Sequence, residues 1–177
     1  TGIKNIYRSS SKENALSLAL KASKKLKINF KKIDALIYVT QSPQSLIPTT
    51  ACIIQDKLKL RNDIIAIDIT QGCSGYIYGL HNSFSLLNNK NVRNVLLICS
   101  DNYTKYISDI NKTCVTLFSD AASATLITKS KNEINEFKFL TDGSGSQFVK
   151  LIDNYKKNHL KKLLNYLWME EICFILH

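Results

Sequence analysis

Apolar residues recur along this chain at two alternating spacings, one helical and one extended. Between Lys12 and Leu26, residues Ala15, Leu16, Ala19, Leu20, Ala22 and Leu26 share one face of a 3.6-residue period with lysines opposite. That spacing predicts a helix, with Ser10 or Ser11 as its cap. Ala35–Thr40 (ALIYVT) is a short apolar run stopped by Gln41-Ser42-Pro43 and reads as a strand. Pro48 is placed to open a helix over Thr49–Leu58. Ile64–Thr70 (IIAIDIT) is almost continuously apolar, which predicts a strand covered on both faces.

The alternation continues downstream. Ile77, Leu80, Phe84 and Leu87 give helical spacing to Ser74–Leu87, and Val95–Ser100 (VLLICS) reads as another buried strand. Tyr103–Asn111 is a polar loop or short helix. Val115–Phe118, Ala122–Thr128 and Glu136–Thr141 read as further strands, the last ending in the Asp142-Gly143-Ser144-Gly145 turn. Helices and strands joined by short connections imply an α/β fold with a mixed, mostly parallel sheet and helices on both faces. Residues 1–150 form this unit. Residues 151–177 change character: Leu160, Leu163, Leu164 and Leu167 lie at helical spacing among lysines, a basic amphipathic tail. Such a helix docks on its own domain or lies on a partner or membrane surface; its short length favours the first.

Composition narrows the function classes. Of 177 residues, 45% are hydrophobic and 21% charged, which excludes a disordered chain. No apolar run approaches the ~18–20 residues of a membrane helix. Twenty-four Lys and Arg outnumber 14 Asp and Glu, for a net charge of +10. The charges are spread along the chain rather than gathered with aromatics, so they read as solvated surface and not as a nucleic-acid motif. Five cysteines, Cys52, Cys73, Cys99, Cys114 and Cys173, are an odd set without a Cys-x-x-Cys pair. Neither a disulfide framework nor a metal site follows from them, and a reducing, cytoplasmic setting is expected.

One segment carries chemistry. Gln71-Gly72-Cys73-Ser74-Gly75 lies between an apolar strand and an apolar helix, which places a thiol at a strand-to-helix corner. Flanking glycines permit a tight turn and close approach of a substrate. Unpaired N–H groups and the positive end of the helix dipole favour thiolate and can donate to an oxyanion. These are the parts of a nucleophile elbow, with cysteine in the place of serine. A buried structural cysteine is the alternative reading. Asp68 and Asp120 read as structural hydrogen-bond acceptors. Arg8 reads equally as a surface ion-pair partner or as a contact for a coenzyme A phosphate.

Several blocks in order resemble the N-terminal half of the 3-oxoacyl-acyl-carrier-protein synthases of type III, in the thiolase-like superfamily. They are Thr1-Gly2-Ile3 with Arg8; Ile33–Thr40 with Pro43 and Pro48; Ala66–Ile69 leading into Gly72-Cys73-Ser74-Gly75-Tyr76; and Leu117–Ala122. The likeness runs to about Gly145. It implies a layered α/β/α thiolase-like half, acylation of Cys73 by acyl-coenzyme A or acyl carrier protein, condensation with malonyl-acyl-carrier protein, and a homodimer. It implies no separate cofactor, metal, nucleic-acid or membrane partner.

Departures from the family pattern qualify the activity. Phe118-Ser119-Asp120-Ala121-Ala122-Ser123-Ala124 stands where the family has Phe-Gly-Asp-Gly-Ala-Gly-Ala. The wording Gln71–Gly79 is similar to members associated with surface-glycan or other specialised acylation. The family's catalytic histidine and asparagine, and a glycine N–H that completes its oxyanion hole, come from a C-terminal half that this chain lacks. His81 sits about 12 Å along the helix from Cys73 at the α-helical rise and reads as a helix-surface residue; His159 and His177 read as solvated. Tyr166-Leu167-Trp168-Met169 with Ile172-Cys173-Phe174 loosely resembles the family's next turn and strand, as in a truncated or frameshifted gene. Acyl capture on Cys73 is therefore expected without condensation, and the alternative is an inactive remnant or interaction module.

Overall fold

The computed structural model describes residues 2–45, 47–107, 112–130 and 136–148. The tail from 151 to 177, with His159, Cys173 and His177, lies outside them, as do residues 108–111 of the Tyr103–Asn111 segment. The elements in chain order are α1 (Ala15–Lys25), β1 (Ala35–Val39), α2 (Thr50–Lys57), β2 (Ile65–Ile69), α3 (Gly75–Leu87), β3 (Asn94–Asp101), α4 (Lys112–Val115) and β4 (Ala121–Thr128).

The four strands form one sheet in the order β2-β1-β3-β4. β1 pairs in parallel with both neighbours, and β4 runs antiparallel to β3. Period-two alternation divides the strand side chains between two cores. Leu36, Tyr38, Leu96 and Ile98 meet Ala19 of α1 and Ala51 and Ile54 of α2 on one face. Ile37, Val39, Val95 and Leu97 meet Leu87 of α3 on the other. The crossovers β1-α2-β2 and β2-α3-β3 leave in opposite directions, so a common right hand puts their helices on opposite faces. The expected layered α/β/α arrangement with a mixed, mostly parallel sheet is what the chain adopts.

Several local expectations need correction. The cap of α1 is Asn14, whose side chain accepts from the Ser17 N–H while the Ser17 hydroxyl receives the Asn14 N–H, a reciprocal capping box. Ser10 and Ser11 lie upstream of it. α2 begins at Thr50, two residues after Pro48. Its first N–H groups are held from outside: the Asp68 carboxylate on β2 accepts from Thr50 and Ala51, both at 2.7 Å. Asp68 thus is the structural acceptor expected of it.

β2 packs on both faces as expected, Ala66 against one core and Ile67 and Ile69 against the other, but the cover is incomplete. The strand lies at the sheet edge among the described residues, and its side chains are partly exposed, Ile65 by 36%. Val115–Phe118 is not a strand; α4 ends at Val115 and a turn follows. A four-residue apolar run carries no period able to separate the two states. Glu136–Thr141 pairs with no strand among the described residues. Its alternation is nevertheless used, because Phe137 and Phe139 both turn onto α3, against His81 at 5.2 and 5.1 Å between ring centroids.

Candidate functional site

Register brings three chain segments together at one end of the sheet. Val39 of β1 pairs with Ile69 of β2 and with Cys99 of β3. Two residues further on, Gln41, Gln71 and Asp101 therefore emerge side by side at the carboxyl ends of three parallel strands, where open α/β sheets place their ligands. Cys73 follows two residues after Gln71, at the turn into α3.

The thiol is exposed, so the buried structural alternative does not hold for Cys73. The turn is closed by the Gly75 N–H donating to the Gly72 carbonyl at 2.7 Å. Ser74, the residue before α3, makes no side-chain capping bond. Among the described residues the N–H of Cys73 has no hydrogen-bond partner. The elbow thus presents the bare Cys73 N–H and the positive end of the helix dipole beside the sulfur.

Glycine is required where α3 meets the sheet. A Cβ at Gly75 would stand 2.6 Å from Val39 Cγ1, and one at Gly79 would stand 2.5 Å from Leu97 Cδ1. Both helix positions lie flat on β1 and β3, which anchors the elbow. Val39 is stiff about χ1 and buried, so it has no room to yield. Gly75→Ala is expected to lower stability by about 1–3 kcal/mol through overpacking, measured by urea unfolding.

Polar groups from β1 and β3 surround the turn. Asp101 Oδ1 accepts from the Gln41 N–H at 2.8 Å, the Ser42 hydroxyl at 2.7 Å and the Thr40 hydroxyl at 3.0 Å. The Tyr103 hydroxyl donates to Gln41 Oε1. Burial first, then the negative charge of Asp101 and that of an ionised Cys73, push the Tyr103 phenol above its ordinary range. It stays a neutral donor. These neighbours escaped sequence reasoning because each lies some thirty residues from the elbow and only strand register brings them to it.

The remaining candidates fall elsewhere. His81 is on the exposed side of α3 under Phe137 and Phe139, away from the sheet end, as expected of a surface residue. Asp120 is structural: it accepts from the N–H and hydroxyl of both Ser9 and Thr104. Arg8 is exposed. Cys99 is half-buried and its thiol is pushed up to about 11, chiefly by burial, so it is no competing nucleophile. No group of three or more metal-ligating side chains exists among the described residues. A cleft of about 420 Å³ opens beside the elbow, between Gln71, Ser74, Ile77 and Tyr78 on one wall and Phe139 and Leu140 on the other.

Comparison with known proteins bears on this arrangement. Residues 67–143, from β2 through the segment packed on α3, match the family model of 3-oxoacyl-[acyl-carrier-protein] synthase III. A Campylobacter jejuni protein named as a 3-oxoacyl-[acyl-carrier-protein] synthase 3 is 41% identical over 127 residues, covering 72% of this chain and 35% of its own. The β-ketoacyl-[acyl-carrier-protein] synthase III of Clostridium perfringens is 36% identical over 137 residues, covering 75% of this chain and 42% of its own. A crystal structure of a 3-oxoacyl-(acyl-carrier-protein) synthase III superposes with a TM-score of 0.80 at 36% identity, over 84% of this chain and 46% of that one. A 3-oxoacyl-(acyl-carrier protein) synthase of Burkholderia xenovorans gives 0.76 at 28% identity, over 90% and 49%. This chain spans less than half the length of these relatives. Sheet order, elbow and sequence agree in making the chain similar to the N-terminal half of a 3-oxoacyl-[acyl-carrier-protein] synthase III.

Proposed function

We propose that this chain accepts an acyl group on Cys73 from acyl-coenzyme A or acylated acyl carrier protein, the first half-reaction of a 3-oxoacyl-acyl-carrier-protein synthase III. The observation that carries the reading is an exposed thiol beside its own unpartnered N–H at the uncapped start of α3. The Cys73 thiolate attacks the thioester carbonyl carbon and forms a new carbon–sulfur bond. The old carbon–sulfur bond breaks, and the departing thiolate takes up the proton that Cys73 lost. Covalent capture divides one difficult transfer into two easier ones. Condensation with malonyl-acyl-carrier protein is not proposed for this chain. Among the described residues the one histidine, His81, faces away from Cys73. Incubation with an acyl-coenzyme A followed by intact-mass measurement tests the reading; the mass of one acyl group is expected to appear.

The same reading places the chain in the cytoplasm as a homodimer. No helix of the described residues is long and apolar enough to cross a membrane. α3 turns its small residues Gly75, Gly79 and Ser83 to the sheet and leaves Tyr76 and Ile77 40% and 46% exposed. A second copy covering those side chains would remove apolar area from water. The same outward face favours a second reading, an interaction module without catalysis. Sedimentation mass and acyl uptake separate the two: a dimer that never takes up acyl supports the module.

A further inference from the structure

We propose that Gln41, aligned by the positioning residue Tyr103, is a catalytic residue that donates a hydrogen bond from its side-chain amide to the thioester carbonyl oxygen as Cys73 attacks; this rests on the reading of Cys73 as acyl acceptor. The three polar parts of Gln41 have distinct fates. Its main-chain N–H is committed to Asp101 Oδ1 at 2.8 Å, and its Oε1 accepts the Tyr103 hydroxyl. Among the described residues its Nε2 has no acceptor. With Oε1 accepting from Tyr103, the two Nε2 hydrogens are the donors left free.

The amide lies against the backbone that leads into the nucleophile. A Cβ on Gly72 would stand 2.8 Å from Gln41 Oε1 and 3.3 Å from Nε2, so the carboxamide fills the space a side chain would take. Tyr103 is itself held, half-buried, with its ring 5.4 Å from that of Phe118. Charge developing on a thioester oxygen calls for preorganised donors. The Cys73 N–H is one, and the Gln41 amide is positioned on the preceding residue as another. Gln41 and Tyr103 thus form a polar wall at the carboxyl ends of β1 and β3, contributed by this chain alone.

Two reagents separate this role from a merely structural one. Phenyl thioacetate delivers an acetyl group through a carbonyl, whereas methyl methanethiosulfonate modifies thiols without one. The full chain is treated with each, and modification at Cys73 is measured by peptide mass spectrometry against the exposed Cys52 as internal reference. Gln41→Met is expected to lower acetylation of Cys73 relative to Cys52 about tenfold and to leave methylthiolation within about twofold. Tyr103→Phe, which keeps the amide but frees its orientation, is expected to lower acetylation about threefold. An unchanged acetylation ratio, or an equal fall with both reagents, overturns the proposal. Should Gln41→Met fail to fold, Tyr103→Phe decides by the same ratio. Acetylation of wild-type Cys73 by phenyl thioacetate but not by acyl-coenzyme A removes the coenzyme A reading and leaves the role of Gln41 standing. No acetylation of wild-type Cys73 removes both.

Discussion

Cys73→Ala is expected to abolish acyl uptake from acyl-coenzyme A, while Cys52→Ala is expected to leave it unchanged. Both thiols are exposed, so exposure alone does not separate them. The difference is their surroundings. Cys52 sits within α2 with its sulfur 3.2 Å from the Thr49 hydroxyl, where no backbone donor awaits a developing oxyanion. Cys73 precedes α3 and has its own unpartnered N–H and the positive end of that helix beside its sulfur. Cys99 and Cys114 are half-buried and buried, and neither competes. Loss should be complete in Cys73→Ala because alanine offers no nucleophile. An intact-mass time course on the two variants provides the check.

Asp120→Ala is expected to destabilise the fold by about 3 kcal/mol, since hydrogen bonds to a charged acceptor are worth more than neutral ones and their donors are left unpaired. Asp120 is 8% exposed, and its carboxylate accepts four bonds of 2.6–2.9 Å from Ser9 and Thr104. Its own N–H donates to the Tyr7 carbonyl at 2.8 Å, and the Ser119 hydroxyl accepts from the Tyr7 N–H at 2.7 Å. The N-terminal segment is thereby tied to the start of β4 and to the turn after β3, next to Tyr103. Burial opposes ionisation of Asp120, but the bonds from Ser9 and Thr104 outweigh it and hold the carboxyl below its usual range. A depressed folded value means the stabilisation is fully present above the unfolded carboxylate range, near pH ~3.9. It is lost as pH falls through the folded value. Wild-type stability should therefore drop in acid, and Asp120→Ala should flatten that dependence, as read by urea unfolding at pH 7 and below pH 4.

Much of this was legible in the residues. The alternation of helical and extended spacing located α1, α2, α3, β1, β2 and β3 to within a few residues, because each carries a long or strongly apolar pattern. The elbow could be read as well, since glycine on both sides of Cys73 between a strand and a helix is a local signature. Strand position was not legible. Ile64–Thr70 looks like an interior strand, yet among the described residues β2 lies at the edge, because an apolar run says that a surface is to be buried and not what buries it. The same limit applies to Glu136–Thr141, whose Phe137 and Phe139 alternate as in a strand but meet α3. Asp68 was recognised as a structural acceptor, but that it caps α2 emerges only from the β1–β2 pairing. Gln41 and Tyr103 carry no motif at all, and their place beside the elbow is a consequence of register.

The most direct test is peptide mapping of the wild-type chain after incubation with an acyl-coenzyme A. The account predicts a single acyl group on the peptide containing Cys73, released by hydroxylamine as a thioester is. An acyl group found on Cys52 instead, or none on any cysteine, would contradict it.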